Sequence, residues 1–315
     1  VLVLVLQNYD FMLNFLSSLP TPVAQGMIWG VMAIGVFVTF KVLELSDLTV
    51  DGSFATGGAV FVVLTTGGMN IYLSMLISFA AGCLAGLVTG IFHTKFGIPA
   101  ILAGILTQLA LYSVNLRIMG GKANTAISWR NFDLLVSSRT DVIYETILVC
   151  VIFIAVLIAV LYWFFGTELG HSIRSTGCNA AMSRANGINT NTCKVLGLVL
   201  SNGIVALAGA LLSQFQGFAD VNMGRGAIVI GLAAVIIGEV AFGKIFRNFA
   251  LRLVSVVLGA IIYYIVITIV LKLGLRTDDL KLFSALVVGL FLGIPYWKSK
   301  VHFTKKEKKE VKADA

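Results

Sequence analysis

Apolar stretches of about twenty residues, separated by short polar connections, recur along the chain. At 1.5 Å per residue such a stretch crosses a hydrocarbon core roughly 30 Å thick, so each predicts a membrane-spanning helix. Hydropathy gives about nine, at residues 23–42, 48–66, 71–92, 98–119, 143–165, 195–218, 227–241, 251–273 and 282–296. The second and seventh are short and glycine-interrupted, which makes each a candidate broken or re-entrant helix. The expected fold is all-α, a polytopic transmembrane helical bundle at residues 20–297. An N-terminal extracytoplasmic or interfacial segment (1–19) precedes it, and a lysine-rich tail (298–315) follows.

One polar interruption stands apart. FGTELGHSIRSTGCNAAMSRANGINTNTCK, residues 165–194, is long, basic and punctuated by Gly170, Gly177 and Gly187. It predicts a short helix, a glycine turn and a second short helix carrying Ala180, Ala181 and Ala185. Small side chains beside Arg174 and Arg184 suit a surface that another protein grips. The plainer alternative is a connecting loop, which its length and helical pattern disfavour.

Composition agrees with lipid as solvent. Hydrophobic residues make up 58% of the 315 and charged residues 12%, about half the usual charged share of a soluble domain. Among 32 glycines, Gly82, Gly86 and Gly90 recur every fourth position and mark a candidate close-packing seam. The formal net charge is +8. With the C-terminus in the cytosol, fifteen Lys/Arg fall inside and eight outside, Arg225 among the latter, and seven tail lysines make the difference. The outer loops also carry Asp133, Asp141, Glu145, Asp220, Asp278 and Asp279, leaving them nearly charge-balanced. The tail reads as a solvated topological anchor or as an attraction to anionic lipid. Basic charge without a folded soluble domain argues against nucleic-acid binding.

Asp51, followed by Gly52, opens the second stretch and Glu239 closes the seventh, both toward the cytosolic end by these boundaries. Carboxylates in apolar segments face a bundle interior, water or a partner. Each reads as a gate or path residue, or as an interfacial carboxylate bonded to backbone, Asp51 to the N–H groups of Ser53 and Phe54. In the fourth stretch Thr107, Gln108, Tyr112 and Asn115 form a polar stripe. It is either the lining of a conduit or interhelical glue. Asn202, Ser213, Gln214 and Gln216 in the sixth pose the same choice. A faint echo links Asp51-Gly52 with Gly224-Arg225-Gly226, each ahead of a glycine-bearing helix, as in a site between two broken segments.

Cys83, Cys150, Cys178 and Cys193 are scattered, and no Cys/His/carboxylate set has metal-ligand spacing. No catalytic triad or cofactor motif is expected. Residues 238–245 match G-x-x-x-x-G-K but place Ile245 where a nucleotide loop requires Ser or Thr, so the match is read as chance.

TELGHSIRSTGCNAAMSRANGI resembles the cytosolic coupling segment of permeases in bacterial ATP-binding cassette importers of the branched-chain amino acid and ribose permease family. LSDLTVDGSFATGGAV and HTKFGIPAILAGILTQLALYSVNLRIMGGKAN are more similar to permeases assigned to tryptophan/tyrosine import. The resemblance covers nearly all the chain after residue 20. It implies a homodimer in the bacterial cytoplasmic membrane, two cytosolic ATPase subunits and an extracytoplasmic solute-binding protein. The positions matching the coupling segment are Gly170, Arg174, Gly177, Asn179, Ala180, Ala181, Arg184 and Gly187. The chain itself is then no enzyme. The alternative from the residues alone, an ion-gradient-driven transporter, requires paired buried acids. A membrane enzyme requires a clustered polar set at one interface.

Overall fold

The computed structural model describes residues 19–272, apart from 131, 244 and 247, and a few isolated positions between 282 and 293. Residues 1–18 of the expected N-terminal segment 1–19, most of the ninth stretch and the lysine tail lie outside the described residues.

Helix α1 (Pro20–Phe37) opens with proline, which lacks the N–H a first turn cannot satisfy. It continues as a π-helical turn, Val38–Val42. Then come α2 (Thr49–Thr66), α3 (Ile71–Thr94) and α4 (Ala100–Ile118). A loop carrying β1 (Asn124–Ala126) leads to α5 (Ile143–Phe165), and the polar insert forms α6 (Glu168–Cys178) and α7 (Ala180–Ala185). The chain continues through α8 (Thr190–Gln216), β2 (Phe218–Asp220), α9 (Ala227–Phe242) and α10 (Phe249–Lys272).

Six of these helices are long and apolar enough to cross a membrane: α1 with its π turn, α3, α4, α5, α8 and α10. Two of the nine expected stretches fall short of that standard. The α2 helix has 18 residues and carries Asp51, Ser53 and four threonines, while α9 has only 16 residues.

The bundle has a centre and a rim. In α1 and α8, 78% and 72% of the apolar window is buried, against 22% in α4 and α5. Helix α8 packs on α3, α2 and α1, and α10 packs on α9 and α1. The Gly82/Gly86/Gly90 seam is the face of α3 laid on α8. A Cβ on Gly82 would overlap Ala206 and the Asn202 carbonyl, and one on Gly86 the Leu198 carbonyl. Without a water-driven hydrophobic effect between helices, this backbone-close packing supplies the cohesion.

The two ends of the bundle differ. At one end α5 passes into α6 and α7. At the other, β1 pairs antiparallel with β2, with Asn124 opposite Asp220. Helix α8 runs from the first end to the second, and left-handed Gly217 (φ 79°) turns the chain into β2. Residues 221–226 then return into the bundle, and a second left-handed glycine, Gly226 (φ 84°), starts α9. That return explains why α9 is short: it begins inside the bundle.

Candidate functional site

Two places carry the polar chemistry. The first is the α6–α7 unit. Thr167 caps α6 by accepting from the Gly170 N–H at 3.4 Å, and Asn179 caps α7 by accepting from the Met182 N–H at 3.0 Å. Ser175 and Ser183 join the two helices at 2.8 Å. Ile173 and Ser183 are fully buried, so the unit is seated on the bundle. A Cβ on Gly177 would overlap the carbonyl of Val42 in the π turn, and one on Gly170 the backbone of Phe164–Phe165.

The eight expected coupling positions therefore separate. Gly170 and Gly177 face inward and seat α6. Arg174 is exposed, its guanidinium 5.0 Å from the Phe249 ring centroid. Asn179 is a cap, Ala180 is half-buried, and Ala181, Arg184 and Gly187 are exposed. Leu169 on α6 and Met182 on α7, not singled out from the sequence, are 56% and 63% exposed. Lone apolar residues in a polar segment were the available signal. A cleft of about 500 Å³, with Arg174 and His171 in its lining, opens between the end of α5, α6 and the start of α10.

The second place is in the bundle. Asn202 lies twelve residues into α8, about 18 Å from its start at a 1.5 Å rise. Its amide donates to Asp47 Oδ2 at 2.7 Å and accepts from Ser53 Oγ at 2.5 Å. Asp47 Oδ1 accepts from the Thr49 N–H at 2.9 Å. Thr49, Thr89 and Thr107 continue through hydroxyl contacts of 2.7 and 2.9 Å, joining α2, α3 and α4. Thr107 and Asn202 thus hydrogen-bond between elements of the bundle, as the glue alternative requires. Asp47 had not been singled out, because its partner lies 155 positions away.

Asp51 requires a correction. It stands one turn into α2, beside Ser53 and so level with Asn202, well inside the bundle rather than near an end. Its oxygens do not take the amides of Ser53 and Phe54. They accept the N–H groups of Gly226 and Ile228, both at 2.9 Å, at the start of α9. An anion there complements the positive end of the helix dipole. The two glycine-broken segments that echo each other in sequence do come together: a Cβ on Gly224 would overlap the Asp51 carbonyl. Arg225, expected in an outer loop, follows Gly224 and stands exposed on the rim, its guanidinium carbon 6.0 Å from the Tyr112 ring centroid.

Gly52 packs under α4, with Gln108 Cα 3.1 Å from where its Cβ would stand. Gln108 is half-buried and Tyr112 is 42% exposed, on the rim beside Arg225. Asn115 is buried, and its Oδ1 has no partner among the described residues. Tyr112 and Asn115 therefore do not share one lining face. Glu239 is remote from this place. It pairs with Lys41 at 2.8 Å, on the π-turn side. The nucleotide-loop match is helical through Phe242, so its amides are committed to the helix rather than arranged as a phosphate cradle.

Comparison with known proteins fits this architecture. A family model described as "Branched-chain amino acid transport system / permease component" matches residues 21–298. A tyrosine transport system permease protein of Clostridioides difficile is 38% identical over 277 residues, 88% of this chain and 91% of that protein. An uncharacterized protein of Rickettsia prowazekii is 30% identical over 88% of this chain and 97% of its own length. A ribose import permease protein of Haemophilus influenzae is 26% identical over 73% of this chain and 69% of its own. By the extent of the family match and these identities, the chain belongs to the branched-chain amino acid transport system permease-component family and is a multi-pass membrane permease.

Proposed function

We propose that this chain is the membrane subunit of an ATP-binding cassette importer, and that its cargo is an amino acid, with tyrosine the first candidate. The observation that carries the proposal is the α6–α7 unit. It presents Leu169, Arg174, Met182 and Arg184 at one end of the bundle while Gly170 and Gly177 key it to the backbone beneath. A part gripped from outside and seated without slack passes motion inward. Val42, on which Gly177 rests, closes the π turn that holds Lys41, the partner of Glu239 on α9. Helix α9 ends in that ion pair and begins at Asp51. Displacing α6 thus displaces the helix whose other end borders the inner polar place.

In this reading the chain works as a homodimer with two cytosolic ATPase subunits on the α6–α7 ends. An extracytoplasmic solute-binding protein docks at the ribbon ends, and the C-terminal tail is cytosolic. The ATPases move the pair because they bind its two conformations with different affinity. The tyrosine candidate rests on the similarity to the Clostridioides difficile permease.

The test is uptake of labelled tyrosine by cells with and without the chain. Uptake should require the chain, stop on ATP depletion and continue when an uncoupler dissipates the proton gradient. The reverse energy dependence would assign the chain to ion-driven transport instead.

A further inference from the structure

Arg225 is an arginine out of place. It is exposed, yet next to it Gly224 is buried against the Asp51 backbone, and Gly226, itself exposed, donates its N–H to the Asp51 carboxylate. Its guanidinium carbon stands 6.0 Å from the ring centroid of Tyr112. Tyr112 is twelve residues into α4 and six from its end, so about 18 Å and 9 Å from the two ends of that helix. Among the described residues no carboxylate lies within 4 Å of the guanidinium; the ion pairs are Lys41–Glu239 and Arg139–Asp141. The nearby acid, Asp51, turns its oxygens to the backbone of α9.

A cation facing acyl chains at that depth is costly, and such groups mark substrate paths. The face around it is apolar and open, with Leu109 and Val229 exposed. It needs a cover that brings water or an anion. Resting on the importer reading, we infer that Arg225 and Tyr112 form the permease's own binding site for the carboxylate end of an aromatic amino acid, at the seam between two copies. The guanidinium presents paired N–H donors that match a carboxylate's two oxygens. The phenol ring offers a face to an aromatic side chain. Gln108, one turn earlier on α4 and half-buried, supplies an amide to the same place.

The experiment has two arms. In cells carrying equal membrane amounts of each chain, uptake of labelled tyrosine at saturating concentration should fall at least tenfold in R225Q. It should recover in part in R225K, which restores charge without the fork. Any delivery protein is common to all strains, so the difference belongs to the permease. Uptake by R225Q equal to wild type overturns the site. The second arm needs no transport. A chain with serine at Cys83, Cys150, Cys178 and Cys193 and the V229C change, which places a thiol on the exposed face beside Arg225 and leaves Arg225 and Tyr112 in place, is challenged in vesicles with a membrane-impermeant thiol reagent on both sides. Labelling, slowed at least threefold by saturating tyrosine, is the expected result. No labelling overturns the site whatever the cargo. Labelling without protection, in a system whose wild type moves no tyrosine, sinks the cargo assignment and keeps a water-filled site at Arg225.

Discussion

At the scale of single residues, the buried acids differ in what they hold. Asp47 is almost fully buried and is bonded to the Asn202 amide and the Thr49 N–H. Asp51 is half-buried and caps another helix. Removing a partner from a buried carboxylate costs more than softening a helix cap. N202A, which removes one of Asp47's two partners and leaves the Thr49 N–H, should therefore lower stability by about 3 kcal/mol. D51N keeps shape and one acceptor and should cost about 1 kcal/mol. For a chain of this size each kcal/mol moves Tm by roughly 2–4 °C, so thermal melts of the two variants in detergent should separate clearly. A larger drop for D51N than for N202A would place the structural load on the α9 cap instead. Neither pairing was legible beforehand. Asp51 announced itself by standing in an apolar run, but its partners are 175 and 177 positions away. A periodic pattern carries no information about which distant backbone it meets.

At the scale of elements, most of the helices could be read directly. Residues 143–165 were expected as a span and α5 is Ile143–Phe165; 71–92 became Ile71–Thr94. The glycine seam of α3 was visible because three small residues at four-residue spacing share one helix face. Depth was not visible. Hydropathy marks residues 227–241 as apolar without saying that the chain first re-enters through 221–226, so α9 looked like a shortened span. In α6–α7 the same limit mixed seat with surface. Gly177 and Met182 look equally available in sequence, yet one presses on Val42 and the other points outward. M182E should leave the melting temperature within about 2 °C of wild type, since exposed changes stay within ±0.5 kcal/mol. In the importer reading it should also reduce tyrosine uptake at least fivefold by spoiling the ATPase contact. G177V should lower the melting temperature and uptake together, because its side chain unseats α6. If M182E transports normally, the gripping surface lies elsewhere on the unit.

At the scale of the whole molecule, the distribution of positive charge sets which way the bundle should face, and the chain carries its own reporter of that direction. Basic residues outside the tail divided equally between the two sides, with Arg225 counted in an outer loop. The fold sets Arg225 on the flank of the bundle beside Tyr112 rather than at a span end, which leaves eight against seven in favour of the α6–α7 side before the seven tail lysines are added. Positive charge near span ends is retained in the cytosol, so this end should be cytosolic. Cys178 is exposed at the C-terminus of α6, whereas Cys150 and Cys193 are buried and Cys83 is partly so, against α8. A membrane-impermeant maleimide should leave Cys178 unmodified in intact cells. It should modify it in inverted vesicles prepared without the ATPase subunits, and C178S should abolish that signal. Labelling in intact cells would turn the bundle over. The α6–α7 surface would then be out of reach of any cytosolic ATPase, and Arg225 would be approached by solute from the opposite side. The importer reading requires the first outcome, because only that orientation puts the seated helix pair where ATP is hydrolysed and the ribbon end where solute arrives.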